Sequence, residues 1–210
     1  MKISYAITVC TEHEELKRLL NILYLYKREE DEIVIQGDQR KVTESVLKVI
    51  GGYVKMGIQY CEYPLNNHYA DFKNNLTKQC SGDWIFQIDA DEYPHQNLIE
   101  SLPRLLEENS DLDLILVPRA NTVEGITDEY IGKWSWRVVD YEGMKLINPW
   151  DFQWRIFKNN GKIKWKNKVH EVLEGYDKFA TLPELLEWCL FHPKTIEKQI
   201  KQNEYYQTLF

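Results

Sequence analysis

The sequence lacks a long hydrophobic segment, closely spaced cysteines and an excess of positive charge. The apolar run at residues 3–10 is too short to cross a membrane, and it lacks the flanking residues of a signal peptide. The four cysteines contain no CxxC pair, which argues against a zinc site or a disulfide framework: Cys10, Cys61, Cys80 and Cys189. We therefore expect reduced thiols in a cytoplasmic protein without a transmembrane segment.

The charge balance gives the chain no general attraction to nucleic acid or to an anionic membrane. The net charge is −7 and the pI is about 5.3. Hydrophobic residues make up 43% and charged residues 28% of the chain, as in ordinary globular proteins. A chain of 210 residues is long enough for one domain with a substantial core, and we predict a single domain over residues 1–210.

The first half of the chain alternates hydrophobic runs with helical patterns. Buried strands are predicted at 3–10, 32–36 and 57–63, and helices at 42–50 and 71–79. A further helix is expected directly after the first strand. The resulting βαβαβ order predicts an α/β fold with a mostly parallel central sheet flanked by helices.

A hydrophobic strand at 84–88 leads directly into acidic residues. Asp89 and Asp91 are two positions apart, so in extended backbone their carboxylates leave the same face at the carboxyl end of the strand. Open α/β sheets bind ligands at this edge. Two hard oxygen donors suit Mg²⁺ or Mn²⁺ with positions left for phosphate oxygens. A solvated acidic turn is the alternative interpretation.

Two other pairs of residues are expected near the same edge. Thr11 and Glu14 have the spacing of a capping box, which would begin the helix after the first strand. A helix N-terminus there favours a nearby anion or nucleotide, although a simple cap would explain both residues. Lys73 and Asn74 lie near the start of the 71–79 helix. Lys73 is placed to neutralise a phosphate or to hold Asp89; an ordinary surface lysine is the alternative.

The second half is less regular and is predicted to form a smaller β-rich and helical part. In order, the patterns predict a helix at 97–108 that Pro103 kinks or splits, a strand at 113–117, a loop-rich segment at 121–148, a hairpin of 152–158 with 162–166, a strand at 188–191 and a helix at 195–210. The loop-rich segment is expected to shape a second pocket, on the acceptor side.

Two histidines in this half are candidate metal ligands. His170 and Glu171 are adjacent, so in a strand they point to opposite faces and only one of them faces the site. His192 is expected at the end of the 188–191 strand, where a neutral imidazole suits Mn²⁺. Either histidine is a candidate third ligand, although a lone histidine is more often structural.

Taken together, these motifs resemble the family 2 glycosyltransferases. The specific part is the run Asp-Trp-x-x-x-x-Asp-Ala-Asp-Glu at residues 83–92. Supporting motifs lie elsewhere along the chain: Thr11-x-x-Glu14-Glu15, Asp38 after a short strand, Lys73-Asn74, Arg155-x-Phe157 and Val169-His170-Glu171. The most similar subgroup is that of the bacterial lipopolysaccharide core glucosyltransferases.

The resemblance implies a glycosyltransferase A-type fold, a nucleotide-sugar donor (usually a UDP-sugar) and a Mn²⁺ or Mg²⁺ ion. Asp91 would be the direct ligand, and Asp89 would bind the ribose, the metal or both. By matching position, three residues would surround the nucleoside: Thr11, Glu14 and Asp38. Lys73 stands where the family commonly has arginine, which keeps the charge without the bidentate geometry.

The resemblance also implies an inverting hexosyl transfer to a saccharide or another hydroxyl acceptor. Glu171 is the candidate general base and Glu92 the second choice. Residues 1–118 would bind the donor and residues 119–210 the acceptor. Two other functions stay open. A nucleotidyltransferase usually has a basic, glycine-rich loop after its first strand, where this chain has the acidic residues 11–15. A non-catalytic sugar-binding module on the same fold is the other.

Overall fold

The computed structural model describes residues 1–207, with the side chains of residues 1–204. The first half confirms the predicted alternation of strands and helices. Its elements are β1 (Ile3–Val9), α1 (His13–Tyr26), β2 (Glu32–Asp38), α2 (Glu44–Tyr53), a 3₁₀ turn (Val54–Met56), β3 (Gln59–Tyr63), α3 (Tyr69–Thr77) and β4 (Trp84–Asp89).

The second half adds nine strands and three helices within the described residues. They are β5 (Tyr93–Pro94), α4 (Gln96–Glu108), β6 (Leu114–Glu124), α5 (Asp128–Trp134), β7 (Val138–Tyr141), β8 (Met144–Ile147), β9 (Asp151–Lys158), β10 (Lys164–Lys166), β11 (Val172–Glu174), β12 (Phe179–Thr181), β13 (Leu190–Thr195) and α6 (Ile196–Gln207). A second 3₁₀ turn (Leu186–Trp188) precedes β13. The predicted helix at 195–210 agrees with α6 up to residue 207, and residues 208–210 lie outside the described part.

Nine strands of the described chain form one sheet in the order β3-β2-β1-β4-β9-β6-β13-β5, with β12 also paired to β6. The pairs β3–β2, β2–β1, β1–β4, β6–β13 and β6–β12 are parallel, and β9 runs antiparallel to both β4 and β6. The predicted mostly parallel α/β sheet is therefore confirmed. Two small ribbons, β7–β8 and β10–β11, stand apart from it.

The sheet is covered on both faces, which explains why β1 and β2 are almost continuously buried. One face packs on leucines and isoleucines of α1, α2 and α4, and the other packs on α3 and the β10–β11 ribbon. Each fully buried leucine contributes about 1.5–3 kcal/mol to folding. No helix within residues 1–207 is long and apolar enough to cross a bilayer.

The predicted hairpin of 152–158 with 162–166 is wrong. β9 is instead inserted between β4 and β6, while β10 pairs with β11. The turn between β9 and β10 leads the chain off the sheet, because Asn159 Nδ2 donates to the carbonyl oxygens of Cys80 and Gly82, each at 3.0 Å. β10 then lies on α3, where Asn74 donates to and accepts from the backbone of Trp165 at 2.9 Å.

Three smaller predictions also need correction. Helix α4 is not split at Pro103, because Leu98, Leu102 and Leu106 are all fully buried on the sheet and hold it continuous. The segment 121–148 is not mainly loop, since β6 runs on to Glu124 and is followed by α5 and the β7–β8 hairpin. His192 lies inside β13 rather than at the end of a strand.

Candidate active site

A cavity of about 1240 Å³ opens where the carboxyl ends of β1, β2 and β4 meet. This is the edge at which open α/β sheets bind ligands. The cavity is lined by eight of the residues predicted from the sequence: Asp38, Lys73, Asp89, Asp91, Glu92, His170, Glu171 and His192. Three other predicted residues are not part of its lining: Thr11, Glu14 and Asn74.

Asp89 ends β4, and both of its carboxylate oxygens are bound. Oδ1 accepts a hydrogen bond from Thr8 Oγ1 at 2.7 Å, in the register that pairs Thr8 of β1 with Asp89. Oδ2 accepts from Arg155 Nη2 at 2.7 Å, and Lys73 Nζ lies 3.4 Å from Oδ1. Burial raises the pKa of Asp89, but the charges of Arg155 and Lys73 and the Thr8 hydrogen bond lower it further, so it lies well below its ordinary value. Asp89 is therefore an anion of fixed orientation.

Asp91 faces His192 from across the sheet edge. Asp91 Oδ2 lies 3.2 Å from His192 Nε2. Burial raises the pKa of Asp91, and the neighbouring His192 and Lys194 lower it, so the pKa lies below its ordinary value. His192 is itself almost buried, at 7% exposure, whereas the side chain of Asp91 is 34% exposed and open to the cavity.

The other nitrogen of His192 is held by Asn121. β13 pairs with β6 in the register that sets His192 beside Asn121, and Nδ1 donates to Asn121 Oδ1 at 2.8 Å. Asn121 Nδ2 donates in turn to Asp151 Oδ2 at 3.2 Å, which fixes the orientation of the amide. A neutral imidazole that donates through Nδ1 presents its Nε2 lone pair to Asp91.

The Asp91–His192 pair fits a divalent cation. Two electron-pair donors 3.2 Å apart attract each other only through a proton or a cation between them. Ligands in neighbouring positions of an octahedral Mg²⁺, each about 2.1 Å from the ion, are about 3 Å apart. Within the described residues no three His, Cys, Asp or Glu side chains converge on one point. Within the described residues, Asp91 and His192 would thus supply two ligands, and further positions would stay open for oxygens of a substrate.

A chain of buried ion pairs lies behind these carboxylates. Glu92, only 1% exposed, accepts from Arg155 Nη2 at 2.7 Å and from Arg119 Nη1 at 3.0 Å. Arg119 also donates through Nε to Asp151 Oδ2 at 2.9 Å. Burial lowers the pKa of each arginine, but the neighbouring carboxylates raise it above its ordinary value. Both guanidinium groups bind the same oxygen of Glu92, so this carboxylate is placed to orient the two arginines.

Lys73 links Asp89 to Glu171, the candidate general base. Its ammonium group lies between Asp89 and Glu171, with a short ion pair to Glu171 Oε1. The ring of Trp165 lies 4.9 Å from the same ammonium. Lys73 itself is 3% exposed, so this is a buried contact and the alternative of a free surface lysine is wrong. Glu171 and His170 lie in a turn before β11, not in a strand, and His170 has a φ of 54°.

The predicted capping box is wrong. The residue that precedes α1 is Glu12, and its carboxylate accepts hydrogen bonds from the backbone N–H groups of Cys10 and Thr11, each at 2.8 Å. The chain therefore bends before the helix, which leaves the side chains of Thr11 and Glu14 exposed. Glu12 lines the cavity in their place. Asn74 is also structural, since both ends of its amide bond the backbone of Trp165.

The polar residues of the lining that sequence reasoning missed include Arg119, Asn121, Asp151 and Lys194. Lys194 follows His192 by two positions in β13, so both side chains share one face of the strand. Burial lowers the pKa of Lys194, and Asp91 raises it in part. In a strand, the spacing of His192 and Lys194 places both side chains on one face. The sequence pattern does not show, however, that β13 extends beyond His192.

Comparison with known proteins agrees with this architecture. The chain shares 29% identity over 171 residues with the lipopolysaccharide core biosynthesis glycosyltransferase LpsC of Rhizobium meliloti (strain 1021). The matched region covers 80% of this chain and 57% of LpsC. It shares 26% over 178 residues with the SPbeta prophage-derived glycosyltransferase SunS of Bacillus subtilis (strain 168), covering 83% of this chain and 35% of SunS. The chain thus spans about half, or less, of the length of these relatives.

Among solved structures, S. aureus TarS 1–349 in complex with UDP-GlcNAc is similar with a TM-score of 0.63 and 14% identity, over 92% of this chain and 59% of that one. At such identity the likeness shows the fold alone. The parallel sheet with its acidic pair has the glycosyltransferase A-type fold. The family model for glycosyl transferase family 2 matches residues 4–172, and the chain belongs to that family.

Proposed function

We propose that the protein is a metal-dependent glycosyltransferase that moves a hexose from a UDP-sugar to an acceptor hydroxyl with inversion at the anomeric carbon. The observation that carries the proposal is the Asp91–His192 pair at the sheet edge, 3.2 Å apart and oriented by Asn121. Family membership supports the reaction class. UDP-GlcNAc in the similar TarS structure supports the choice of donor.

The donor nucleoside would lie at the ends of β1 and β2. Asp38 ends β2, is 2% exposed and lines the cavity. Its Oδ1 accepts hydrogen bonds from the backbone N–H groups of Arg40 and Leu65. Within the described part of the chain, Oδ2 is left available to a ligand. Asp89, held from behind by Arg155, would accept a ribose hydroxyl. We propose that Glu12, rather than Thr11 or Glu14, lines the nucleoside site.

Asp91 and His192 would hold the Mn²⁺ or Mg²⁺ ion, with His170 outside this pair. A bound ion of this kind stabilises the negative charge that develops on a departing diphosphate. Lys194, on the same face of β13 as His192, adds a second positive charge on that side. The proposed halves, 1–118 for the donor and 119–210 for the acceptor, therefore meet at the diphosphate, because His192 and Lys194 reach the donor side from the second half.

Glu171 would act as the general base. The acceptor oxygen attacks the anomeric carbon, the bond from that carbon to the phosphate oxygen breaks, and its electron pair leaves with UDP. The acceptor proton goes to the Glu171 carboxylate, which lines the cavity and is held by Lys73. Glu92 is the weaker candidate, because Arg119 and Arg155 already bind it.

The four cysteines are unpaired in the structure. Unpaired thiols support the proposal that the protein works in a reducing compartment, the cytoplasm.

Donor hydrolysis gives a direct test that needs no acceptor. We expect the protein to release UDP from a UDP-hexose slowly and only with Mn²⁺ or Mg²⁺, and we expect Asp91→Ala to abolish the release. Asp177→Ala, at an exposed aspartate outside the cavity, is the matched control. Formation of UTP and hexose 1-phosphate when pyrophosphate is added would instead indicate a nucleotidyltransferase. No metal-dependent release from any nucleotide sugar would favour a non-catalytic sugar-binding module.

A further inference from the structure

Three tryptophans line the cavity and have no role in the proposed chemistry. They are Trp136, before β7; Trp150, just before β9; and Trp154, within β9. All three are half-buried, so part of each ring faces the cavity or its mouth. Large aromatic surfaces with a few polar groups are typical of small-molecule sites. These rings lie in the half of the chain that the donor does not occupy.

The aromatic surface continues beyond the cavity. Trp136 packs on Trp134 with ring centroids 4.6 Å apart, and Trp134 packs on Tyr130 at 4.9 Å. On the β7–β8 side, Tyr141 meets Trp150 edge-on at 5.2 Å. The five rings define what we call the aromatic strip: Tyr130, Trp134, Trp136, Tyr141 and Trp150. Because neighbouring rings support one another, the strip is a preorganised surface that leads from the cavity to α5.

Three cations near Glu171 are already paired. Among the described residues that line the cavity, Arg119 and Arg155 bind Glu92, and Lys73 binds Glu171. These three cations are engaged by carboxylates of the protein, which favours an uncharged sugar at the reacting end of the acceptor. Such a sugar can also offer an apolar face to the rings.

We propose that the acceptor is a neutral oligosaccharide that lies along the aromatic strip. This rests on the proposed glycosyl transfer and adds the class of its acceptor. The terminal sugar would lie on Trp150 and Trp154, with its reacting hydroxyl near Glu171. The preceding sugars would lie over Trp136 and Trp134. A pyranose ring fits such a surface because its C–H groups form an apolar face while its uncharged hydroxyls stay in water.

An anionic membrane is the competing occupant, since Lys133 and Arg137 lie near the outer end of the strip. The oligosaccharide is favoured because the strip is continuous with the cavity that holds Glu171.

Binding measurements on the protein saturated with UDP and Mn²⁺ test the proposal. The probes are methyl glycosides and linear di-, tri- and tetrasaccharides of glucose, galactose and mannose, the same sugars with a terminal phosphate, and phosphatidylglycerol vesicles. We expect one neutral series to bind more tightly with each added sugar, up to about three. Trp134→Ala should weaken the tetrasaccharide about tenfold and leave the monosaccharide unchanged. Phe179→Ala, at an aromatic residue 54% exposed outside the cavity, should change neither.

Three results would overturn the proposal: no dependence on chain length, tighter binding of the phosphorylated sugars, or binding to vesicles alone. A thermal shift by UDP with Mn²⁺, measured on the same samples, distinguishes a wrong acceptor assignment from a wrong proposed function. If the UDP shift is present but no neutral oligosaccharide binds, only the acceptor assignment is wrong. If wild-type protein shows no UDP shift, the proposed function is wrong as well.

Discussion

His192 donates a hydrogen bond through Nδ1 to Asn121 Oδ1 at 2.8 Å, and this contact directs Nε2 at Asp91. Asn121 is itself held through Nδ2 by Asp151, which Arg119 binds. The orientation of the imidazole therefore depends on a buried network that reaches from β13 to β6 and β9. Groups that orient a metal-binding histidine in this way affect metal affinity without touching the metal.

Removing this orienting contact should weaken metal binding. Asn121→Leu keeps the size of the side chain but loses both hydrogen bonds, so we expect Mn²⁺ affinity to fall about 10- to 100-fold. The affinity is measured by the electron paramagnetic resonance signal of free Mn²⁺ during titration, which does not depend on turnover. His192→Ala should lose more. An unchanged Mn²⁺ affinity in Asn121→Leu, alongside a loss in His192→Ala, would show that Asn121 does not position the ligand.

The role of Glu171 predicts a change in rate without a change in donor binding. Glu171→Gln keeps the shape and can still bond Lys73, but it cannot accept a proton from the acceptor. We expect kcat for transfer to fall about 10²–10⁴-fold while UDP binding with Mn²⁺ is retained. Steady-state kinetics and calorimetric titration of UDP separate the two effects. Full transfer activity in Glu171→Gln would rule this residue out as the base.

Glu32 predicts a pH dependence of stability. Its carboxylate accepts hydrogen bonds from Lys2 Nζ at 2.6 Å and from the backbone N–H of Ser81 at 2.6 Å. Burial raises its pKa, but these bonds and those from Ser4 and Ser81 hydroxyls lower it from 4.5 to about 2. Because the folded pKa is lowered, the stabilisation is complete above pH 4.5 and is lost as the pH falls towards 2.

The matching variant is Glu32→Gln, and its cost in free energy of unfolding should depend on pH. We expect a cost of about 3 kcal/mol at pH 7, and about half of that or less at pH 3. Urea denaturation at the two pH values measures both. An equal cost at pH 7 and pH 3 would mean that the charge of Glu32 does not contribute.

Gly82 predicts a packing constraint at the entry to β4. A Cβ at this position would lie 2.7 Å from the backbone nitrogen of Ser4 in the neighbouring strand β1. Gly82→Ala should therefore destabilise the fold by about 1–3 kcal/mol. Gly51→Ala is the control, because a Cβ there meets nothing within 4 Å in helix α2, and it should stabilise by about 0.5–1 kcal/mol. Equal melting temperatures for the two variants would contradict this account.

The part of the site at the end of β4 was predictable because its signals are local. Asp89 and Asp91 come directly at the end of one buried strand, so the sequence places both near the sheet edge. Strand periodicity does not apply to Asp91, however, because β4 ends at Asp89 and Asp91 lies in the turn that follows. Lys73 lies in the middle of the preceding helix α3 and reaches Asp89 as expected. The prediction of a capping box was wrong because a sequence pattern does not show which side chain hydrogen-bonds the backbone before the helix. Glu12, not Thr11, binds the backbone before α1.

The second half was harder because its important contacts join distant segments. β9 enters the sheet between β4 and β6 in antiparallel orientation, which no hydrophobic pattern of 151–158 indicates. His192 was a candidate by residue type, but its partner Asn121 depends on the register of β13 against β6. Arg119 and Asp151 belong to the same network for the same reason, so their positions became visible only in the folded chain.

The measurement that tests the central claim most directly is a thermal-shift panel of UDP, GDP, CDP and dTDP, each with and without Mn²⁺. It is run on wild-type protein, Asp91→Ala and the control Asp177→Ala. We expect UDP with Mn²⁺ to stabilise the wild type and the control by about 2.7 kcal/mol at a nucleotide concentration 100 times Kd. Asp91→Ala should show no such shift. Stabilisation of Asp91→Ala equal to that of the wild type, or no shift with any nucleotide, would contradict a cation-bridged diphosphate site at Asp91.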